Sequence, residues 1–353
     1  MLRKSPWILF PLILVVISCA GFGSSGNTAG SYIFSADAPV WVVSVSAEFP
    51  QERYVAATGF ASSREMAQEN ALAALTAFFG QTVQVDTVVA SSYQQAITNG
   101  VMDGWLDTVE MRSSVRTFAL ADELFGVEIR DVWLDSRGIY YAVAVMEKAR
   151  AIPLYNELIT ANNNVINNLL NMTPNEKYSL NGVIRYRFAA AVADINASYR
   201  DIVVLLGDRS SNAIATGDLF RLEAQNIIRE IPIGINVSND RHERIYNAFA
   251  RNFAAHGFEA ATGDVRYVFN VNVNLTPVDL PANPNPFVRL EIAANLYDTT
   301  LGLVLLPYTF NTREGAINRS EAENRSILAA ERNINEEFGR MLSDYLNSLI
   351  PRN

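Results

Sequence analysis

The chain of 353 residues has one cysteine, Cys19, and two histidines, His242 and His256. A lone cysteine supports neither an intramolecular disulfide nor a Cys-x-x-Cys redox or metal site. The two histidines fall fourteen residues apart on one predicted helix, which places them about 21 Å from each other at 1.5 Å per residue. They cannot share a metal ion, and they read as solvated or helix-capping groups. Basic charge is also scarce: 28 Lys and Arg stand against 37 Asp and Glu, for a net charge of −9, and no basic run exceeds Arg3-Lys4. A protein that displaces counterions from phosphates needs a basic patch, so nucleic acid is not an expected partner. Phosphate-cradling Gly-x-x-x-x-Gly-Lys loops, Gly-x-Ser-x-Gly elbows and His-Glu-x-x-His pairs are absent, which leaves carboxylates as the available reactive groups. A pair of them would suffice for glycoside hydrolysis. Asp103, Asp107 and Glu110 lie close in sequence, and Glu321, Glu323, Glu331, Glu336 and Glu337 fall on the last predicted helix. Those spacings suit an acidic, solvated helix face. The expectation is a protein that is not an enzyme, with no catalytic residue, no cofactor and no metal site.

The amino-terminal end is informative. Arg3 and Lys4 precede an apolar stretch from Trp7 to Ile17, and Ser18 is a small residue before Cys19. This is the pattern of a signal peptide, and the stretch is shorter than the roughly 20 apolar residues that a membrane span requires. Val16-Ile17-Ser18-Cys19 resembles the bacterial lipobox. That resemblance implies cleavage before Cys19 and attachment of a diacylglyceryl group to its thiol, with further acyl chains of the palmitate kind. Residues 1–18 are therefore read as the signal peptide, Cys19 as the lipidation site and residues 19–37, rich in Gly, Ser and Ala, as a tether. A random coil of that length spans roughly 25 Å. Loss of Arg3 and Lys4 takes the basic count from 28 to 26 and the net charge from −9 to −11, so the lipid anchor, not surface charge, accounts for the expected membrane attachment. Ala20 and Gly21 follow the cysteine where the resemblance to enteric inner-membrane retention would demand Asp. The outer membrane, with the protein facing the periplasm, is the expected address.

Residues 38–147 read as an α+β domain. Trp41 to Ser46 alternates apolar and polar residues as a strand would, and Tyr54 to Phe60 forms a second strand closed by Gly59, which allows a bend. Ser62 and Glu65 form a capping box for a helix with Ala67, Ala71, Ala74 and Phe78 inward and Gly80 at its end. Val83-Gln84-Val85 alternates again, and helix-like pieces follow from Ser91 to Phe125. Val127 to Leu134, the turn Asp135-Ser136-Arg137-Gly138, and Ile139 to Met146 make the clearest hairpin.

Several of these segments, namely Pro39-Val40-Trp41-Val42, Ala57-Thr58-Gly59-Phe60-Ala61, the Ala-rich helix, Gly126 to Trp133 and Gly138 to Val145, resemble the LPP-twenty lipoprotein family. That family comprises bacterial envelope lipoproteins and relatives of flagellar accessory protein T. The resemblance implies an envelope location and a flagellar or secretion context. None of the matching residues is a catalytic group. Trp133 and Tyr141 are expected to fill a core.

Residues 148–210 form a predicted helical hairpin, with Pro174 between its arms. Leu154, Leu158, Val165, Leu169 and Leu170 line one arm, and Ile184, Phe188, Ala191, Ile195 and Tyr199 the other. The cluster Asn162, Asn163, Asn164, Asn167 and Asn168 reads as its solvated side. Residues 211–353 return to an α/β pattern. A short helix over Leu222–Ile228 and a strand over 231–237 precede an amphipathic helix from Asp240 to His256 that stops at Gly257. Strands of Tyr267 to Leu275, Val288 to Leu296 and Leu303 to Phe310 come next, the first with Asn270, Asn272 and Asn274 on its outer face. Arg313-Glu314-Gly315 reads as a turn. A final helix capped by Ser320 and Glu323 carries Ala322, Ala329, Ile334, Phe338, Leu342, Tyr345 and Leu349 inward. The order of elements resembles the periplasmic α/β domains of TolB-type and curli-secretion-type proteins.

The resulting expectation is an α+β chain of two α/β-type domains with mostly antiparallel sheets, joined by a helical hairpin. The expected function is that of a structural or assembly factor whose partners are the membrane, through the lipid anchor, and envelope proteins, a second copy of the chain among them. A periplasmic module that binds peptidoglycan or a small ligand in a cleft between the domains is the alternative.

Overall fold

The computed structural model describes residues 37–80, 124–210, 216–240, 243–280 and 283–349. The leader, Cys19, the tether up to residue 36, Val83-Gln84-Val85, the helix-like pieces up to residue 123, Asp103, Asp107, Glu110 and His242 lie outside the described residues.

The first unit consists of helical turns α1 (Val40–Val43) and α2 (Val45–Glu48), strand β1 (Tyr54–Ala61), helix α3 (Arg64–Gly80), and strands β2 (Val127–Leu134) and β3 (Tyr140–Glu147). The strands form an antiparallel sheet in the order β1-β3-β2. The alternating segment from Trp41 to Ser46 is thus helical turns and not a strand. Its short period-two pattern is overridden by one side chain: Trp41 is 1% exposed, packs with Val143 and Val145, and donates its indole N–H to Asp131 Oδ2 at 2.9 Å. The backbone N–H of Trp41 reaches Glu48 Oε2 at 3.2 Å, which closes the two turns on themselves.

Helix α3 starts one residue later than its predicted cap, because Ser63, not Ser62, accepts the N–H of Met66. Its inner face runs through Ala67, Ala71, Leu75 and Phe79, whereas Phe78 is 52% exposed. The small residues have a contact to explain them. A Cβ on Gly59 would fall on the backbone of Ala67 and Ala71, so Gly59 serves close approach of helix to strand instead of a bend.

The helical hairpin follows as α4 (Lys148–Leu170), α5 (Pro174–Lys177) and α6 (Leu180–Leu205). A capping box between Thr173 and Glu176 starts the short α5, and Ser179 caps α6 through the N–H of Gly182. Asn162 departs from the solvated reading. It is 1% exposed and donates to Asn196 Oδ1 at 2.8 Å, while Asn196 donates onward to Ile159 O and Asn163 Oδ1. The pair fixes the register of α4 against α6, since any slide would leave buried amides without partners. Asn163, Asn164, Asn167 and Asn168 are exposed, as expected.

The last unit comprises α7 (Gly217–Glu230), β4 (Ile233–Ser238), α8 (Arg244–Ala255), β5 (Ala260–Ala261), β6 (Tyr267–Val278), β7 (Phe287–Asp298), β8 (Leu303–Gly315), α9 (Arg319–Asn333), a π-helical turn (Ile334–Phe338) and α10 (Gly339–Ser348). The sheet order is β5-β4-β6-β7-β8. Strand β4 runs parallel to both β5 and β6, and the β6-β7 and β7-β8 pairs are antiparallel. This sheet is therefore mixed, although the α+β class stands. Arg313-Glu314-Gly315 belongs to β8 and pairs with Arg289, Val288 and Phe287 instead of turning. Gly257, at φ +86°, stops α8 as expected.

The last helix is capped by Asn318, which accepts the N–H of Glu321 at 2.8 Å, two residues ahead of the predicted Ser320. Its inner line is Ala330, Ile334, Phe338, Leu342 and Leu346. Strict spacing of four drifts about 40° per step around an α-helix of 3.6 residues per turn. The wider π turn at its centre takes up part of that drift.

Two main cores result. The first gathers α3, β3, α4 and most of α6, and the second gathers α7, α8, the five-stranded sheet and the final helix. Helix α6 enters both: Leu180, Val183 and Ile184 belong to the second core, while Phe188 and the inward residues up to Val203 contribute to the first.

Candidate functional site

Two surfaces stand out against this frame. On the first sheet, Phe60 of β1, Tyr141 of β3 and Trp133 of β2 occupy one register row. Their ring centroids lie 6.2 Å (Phe60 to Tyr141) and 5.5 Å (Tyr141 to Trp133) apart. Phe60 is 69% exposed. Trp133 and Tyr141 are only half-buried, contrary to the expectation that they fill a core. Arg137 donates to the Tyr141 hydroxyl at 3.1 Å and is paired with Asp135, so the row ends in a fixed polar corner. Burial works against the charge on Asp135, but hydrogen bonds from Ile139 N–H and from the side chain and backbone of Arg137 outweigh it and hold its pKa below the ordinary Asp value. The helical turns over the same face expose Val40 and Val43 beside the buried Trp41.

The second surface is the open face of the five-stranded sheet. Alternation in β6 sends Tyr267, Phe269, Val271 and Val273 into the core and Asn270, Asn272 and Asn274 outward. Strand register lines up Asn236, Asn270 and Asn295 in one row and Ser238, Asn272 and Ala293 in the next. Asn236 donates to Asn270 Oδ1 at 3.1 Å, and Ser238 donates to Asn272 Oδ1 at 3.0 Å. Asp240 and Glu243 on the loop leaving β4, and Tyr246 of α8, border an open cleft with a volume of about 760 Å³. Asn239 and Glu243 on that loop both adopt positive φ, 65° and 53°, which costs a non-glycine residue about a kilocalorie or more and concentrates at functional sites. The cleft lies on the open face of this sheet, over β4, β6 and β7.

His256 caps α8 and is half-buried, and its Nε2 lies 3.2 Å from Ser343 Oγ. Burial lowers its pKa, and the neighbouring Arg187 lowers it further. A nucleophile and base would need a third group to orient the imidazole. Arg187 donates to the backbone oxygen of His256 and so does not fill that role. The acidic residues of the last helix are largely taken up by arginines: Glu331 by Arg244, Glu323 by Arg319, Glu321 by Arg325 and Glu337 by Arg340. Among the described residues, no three His, Cys, Asp or Glu side chains are placed to hold a metal ion, and no helix is long and apolar enough to cross a membrane.

Neither surface was singled out as a site by its residue types. The register row of aromatics needs the strand pairing to appear, and the outward asparagines were legible as a solvated face but not as the floor of a cleft.

Residues 39–147 match the LPP20 lipoprotein family, the LPP-twenty family that the sequence resembles. No curated protein matches the chain. Among solved structures, a secreted protein of Helicobacter pylori shares 15% identity, covers 80% of this chain and 97% of its own, and gives a TM-score of 0.40. A minor lipoprotein of Acinetobacter baumannii, at 10% identity, covers 34% of this chain and 94% of its own with a TM-score of 0.22. Rare lipoprotein B of Shewanella oneidensis, at 13% identity, covers 33% and 95% with a TM-score of 0.23. Scores this low transfer no functional assignment.

Proposed function

We propose that this chain, which carries an LPP20 lipoprotein segment over residues 39–147, is a non-enzymatic bacterial envelope lipoprotein that acts as an assembly factor. It is anchored at the outer membrane through Cys19 and faces the periplasm. The family match and the lipobox-like residues before Cys19 support the lipoprotein reading. The observation that carries the assembly role is the Phe60-Tyr141-Trp133 row. A large aromatic ring 69% exposed at the end of a row of mutually tilted rings is costly in water, and aromatic residues are enriched where proteins bind each other. The partner is an envelope protein, in the flagellar or secretion context that the family resemblance suggests.

The test is recovery from detergent-solubilised membranes. The wild-type protein is expected to bring down a stoichiometric envelope protein, and Phe60→Asp to lose it while keeping the wild-type melting temperature. Retention of the partner by Phe60→Asp would refute the docking face. Cys19→Ala is expected to move the protein from the membrane to the soluble envelope fraction.

A further inference from the structure

We propose that Arg289 on β7 and Arg313 on β8 together bind the phosphate group of a phosphoester. This goes beyond the assembly role and uses a different sheet from the Phe60 row. Both side chains are exposed on the open face of the second sheet, where strand pairing sets them directly opposite each other. Two prolines fix how close they stand. Proline has no N–H to exchange, so Pro307 and Asn295 face each other without backbone hydrogen bonds, and every second pair repeats that state down to Arg313 opposite Arg289. Pro277 opposite Val288, across the other edge of β7, gives the same phase, because it turns the backbone of Arg289 toward Thr276 and away from β8. Side chains come closer across such a pair, whose Cα atoms are about 4.5 Å apart. Like charges placed there destabilise a sheet.

The charge is also left over. Arg244, Arg266, Arg319, Arg325 and Arg340 of the same unit each hold a carboxylate. Among the described residues Arg289 and Arg313 have no ion pair, although the exposed Glu291 stands in the next row of the same face. Two neighbouring guanidiniums whose repulsion is uncompensated suit an external anion, and their geometry selects its type. One guanidinium fork engages both oxygens of a carboxylate, whereas two forks from adjacent strands are better met by the three oxygens of a phosphate monoester. Its charge of about −1.5 to −2 at neutral pH matches the pair, where a carboxylate leaves one cation over. The flank is apolar: the Phe287 ring lies across Gly315 in the adjoining row, so that a Cβ on Gly315 would fall on it, and Ile317 beyond is 85% exposed. The organic part of a phosphoester can rest there.

The experiment uses the mature chain from Ala20, free of leader and acyl groups, with Arg289→Gln and Arg313→Gln beside the wild type. In chloride each variant is expected to melt about 1 °C higher, because a repulsion is removed. About 20 mM phosphate at equal ionic strength is expected to raise the wild type about 3 °C more than either variant, as for a ligand at roughly twenty times its Kd. Exclusion of phosphate from protein surfaces acts on all three chains alike, so only that difference counts. Sedimentation with phosphatidic acid vesicles separates the two sources of the group. Recovery of the wild type but not the variants on the vesicles assigns the phosphate to a lipid headgroup, and the phosphate-dependent shift without vesicle binding assigns it to a soluble phosphoester. Equal phosphate shifts in all three chains together with no selective vesicle binding would overturn the proposal. So would variants that melt lower in chloride, since a carboxylate of this chain would then already neutralise the pair.

Discussion

The two sheets solve burial in opposite ways. In the first, β3 is sealed on both sides: Ala142, Val143, Ala144, Val145 and Met146 are all 0% exposed, with α3 and α4 against one face and the Trp41 turns against the other. In the second, β6 and β7 alternate buried and exposed residues, and among the described residues helices meet one face. A sheet covered twice reads as a continuous apolar run, and a sheet covered once as alternation. The difference fixes what each can offer. The first sheet presents aromatic rings at the end of its covered face, whereas the second presents a polar face on which the amides of neighbouring strands bond to one another.

The sharpest test of this contrast is a cavity in the single-sided sheet, whose stability must come from one face alone. Phe249 is 0% exposed, with ring centroids of Phe269, Phe338 and Tyr308 at 4.8, 4.9 and 5.6 Å. Phe249→Ala is expected to cost about 4 kcal/mol, within the range for buried aromatics. Urea denaturation would read this, and a loss under ~1 kcal/mol would mean the core can collapse around the gap. Next in size is the ion pair that ties the second sheet to the helical hairpin. Arg266 donates twice to Asp298, which is 2% exposed, and also to the backbone oxygens of Asn175 and Tyr178. Removing one partner strands a buried charge, so Arg266→Ala is expected to cost about 3 kcal/mol, and the Arg266→Ala/Asp298→Ala double variant less than the sum of the singles. Strict additivity in a double-mutant cycle would show that the two side chains act separately.

The first sheet offers a finer comparison between two tryptophans on one face. Trp41 is 1% exposed and bonded to Asp131, while Trp133 is half-buried. Trp41→Ala should lower stability by about 3 kcal/mol and Trp133→Ala by about half of that, in proportion to the area each removes from water. A reversed order in thermal melts would show that the aromatic row, and not the indole beneath α1, holds this face. The smallest effect is expected from Asp135 at the hairpin turn. Its folded-state pKa lies below the ordinary Asp value of 3.8. Its contribution is thus complete above that value and is lost as pH falls through the lower folded-state value. Asp135→Asn should flatten the acid arm of the stability curve below about pH 4 and leave neutral pH almost untouched. An acid arm unchanged in this variant would assign the pH response to other carboxylates.

Periodicity carried most of the fold. The hairpin at 127–147, both long helices and the alternating strands β6 and β7 follow from apolar spacing alone, because their pattern is long enough to outweigh local accidents. The misreadings are short or depend on distant partners. Six residues around Trp41 could not separate a strand from two turns anchored by a single indole. The helix starts slipped by one or two residues because neighbouring Ser or Asn residues compete for the same cap. Asn162 looks solvated in sequence, since its partner Asn196 lies 34 positions away. The outer asparagines of β6 were visible, but the cleft they floor depends on Asn236 and Asn295, which only strand pairing brings alongside.

Helix α6, at 26 residues, is about 39 Å long, and each of its ends is set in a different core. In hydrogen-exchange terms it belongs to two cooperative units at once. Amides near Leu180 open when the second core opens, and those near Tyr199 when the first one does. Around Arg185 to Phe188 neither core can release the backbone by itself, because the hydrogen bonds on the other side still hold the helix. Exchange at these central amides therefore reports the joint opening of both cores, and the most protected residues of the chain should lie between its two hydrophobic centres.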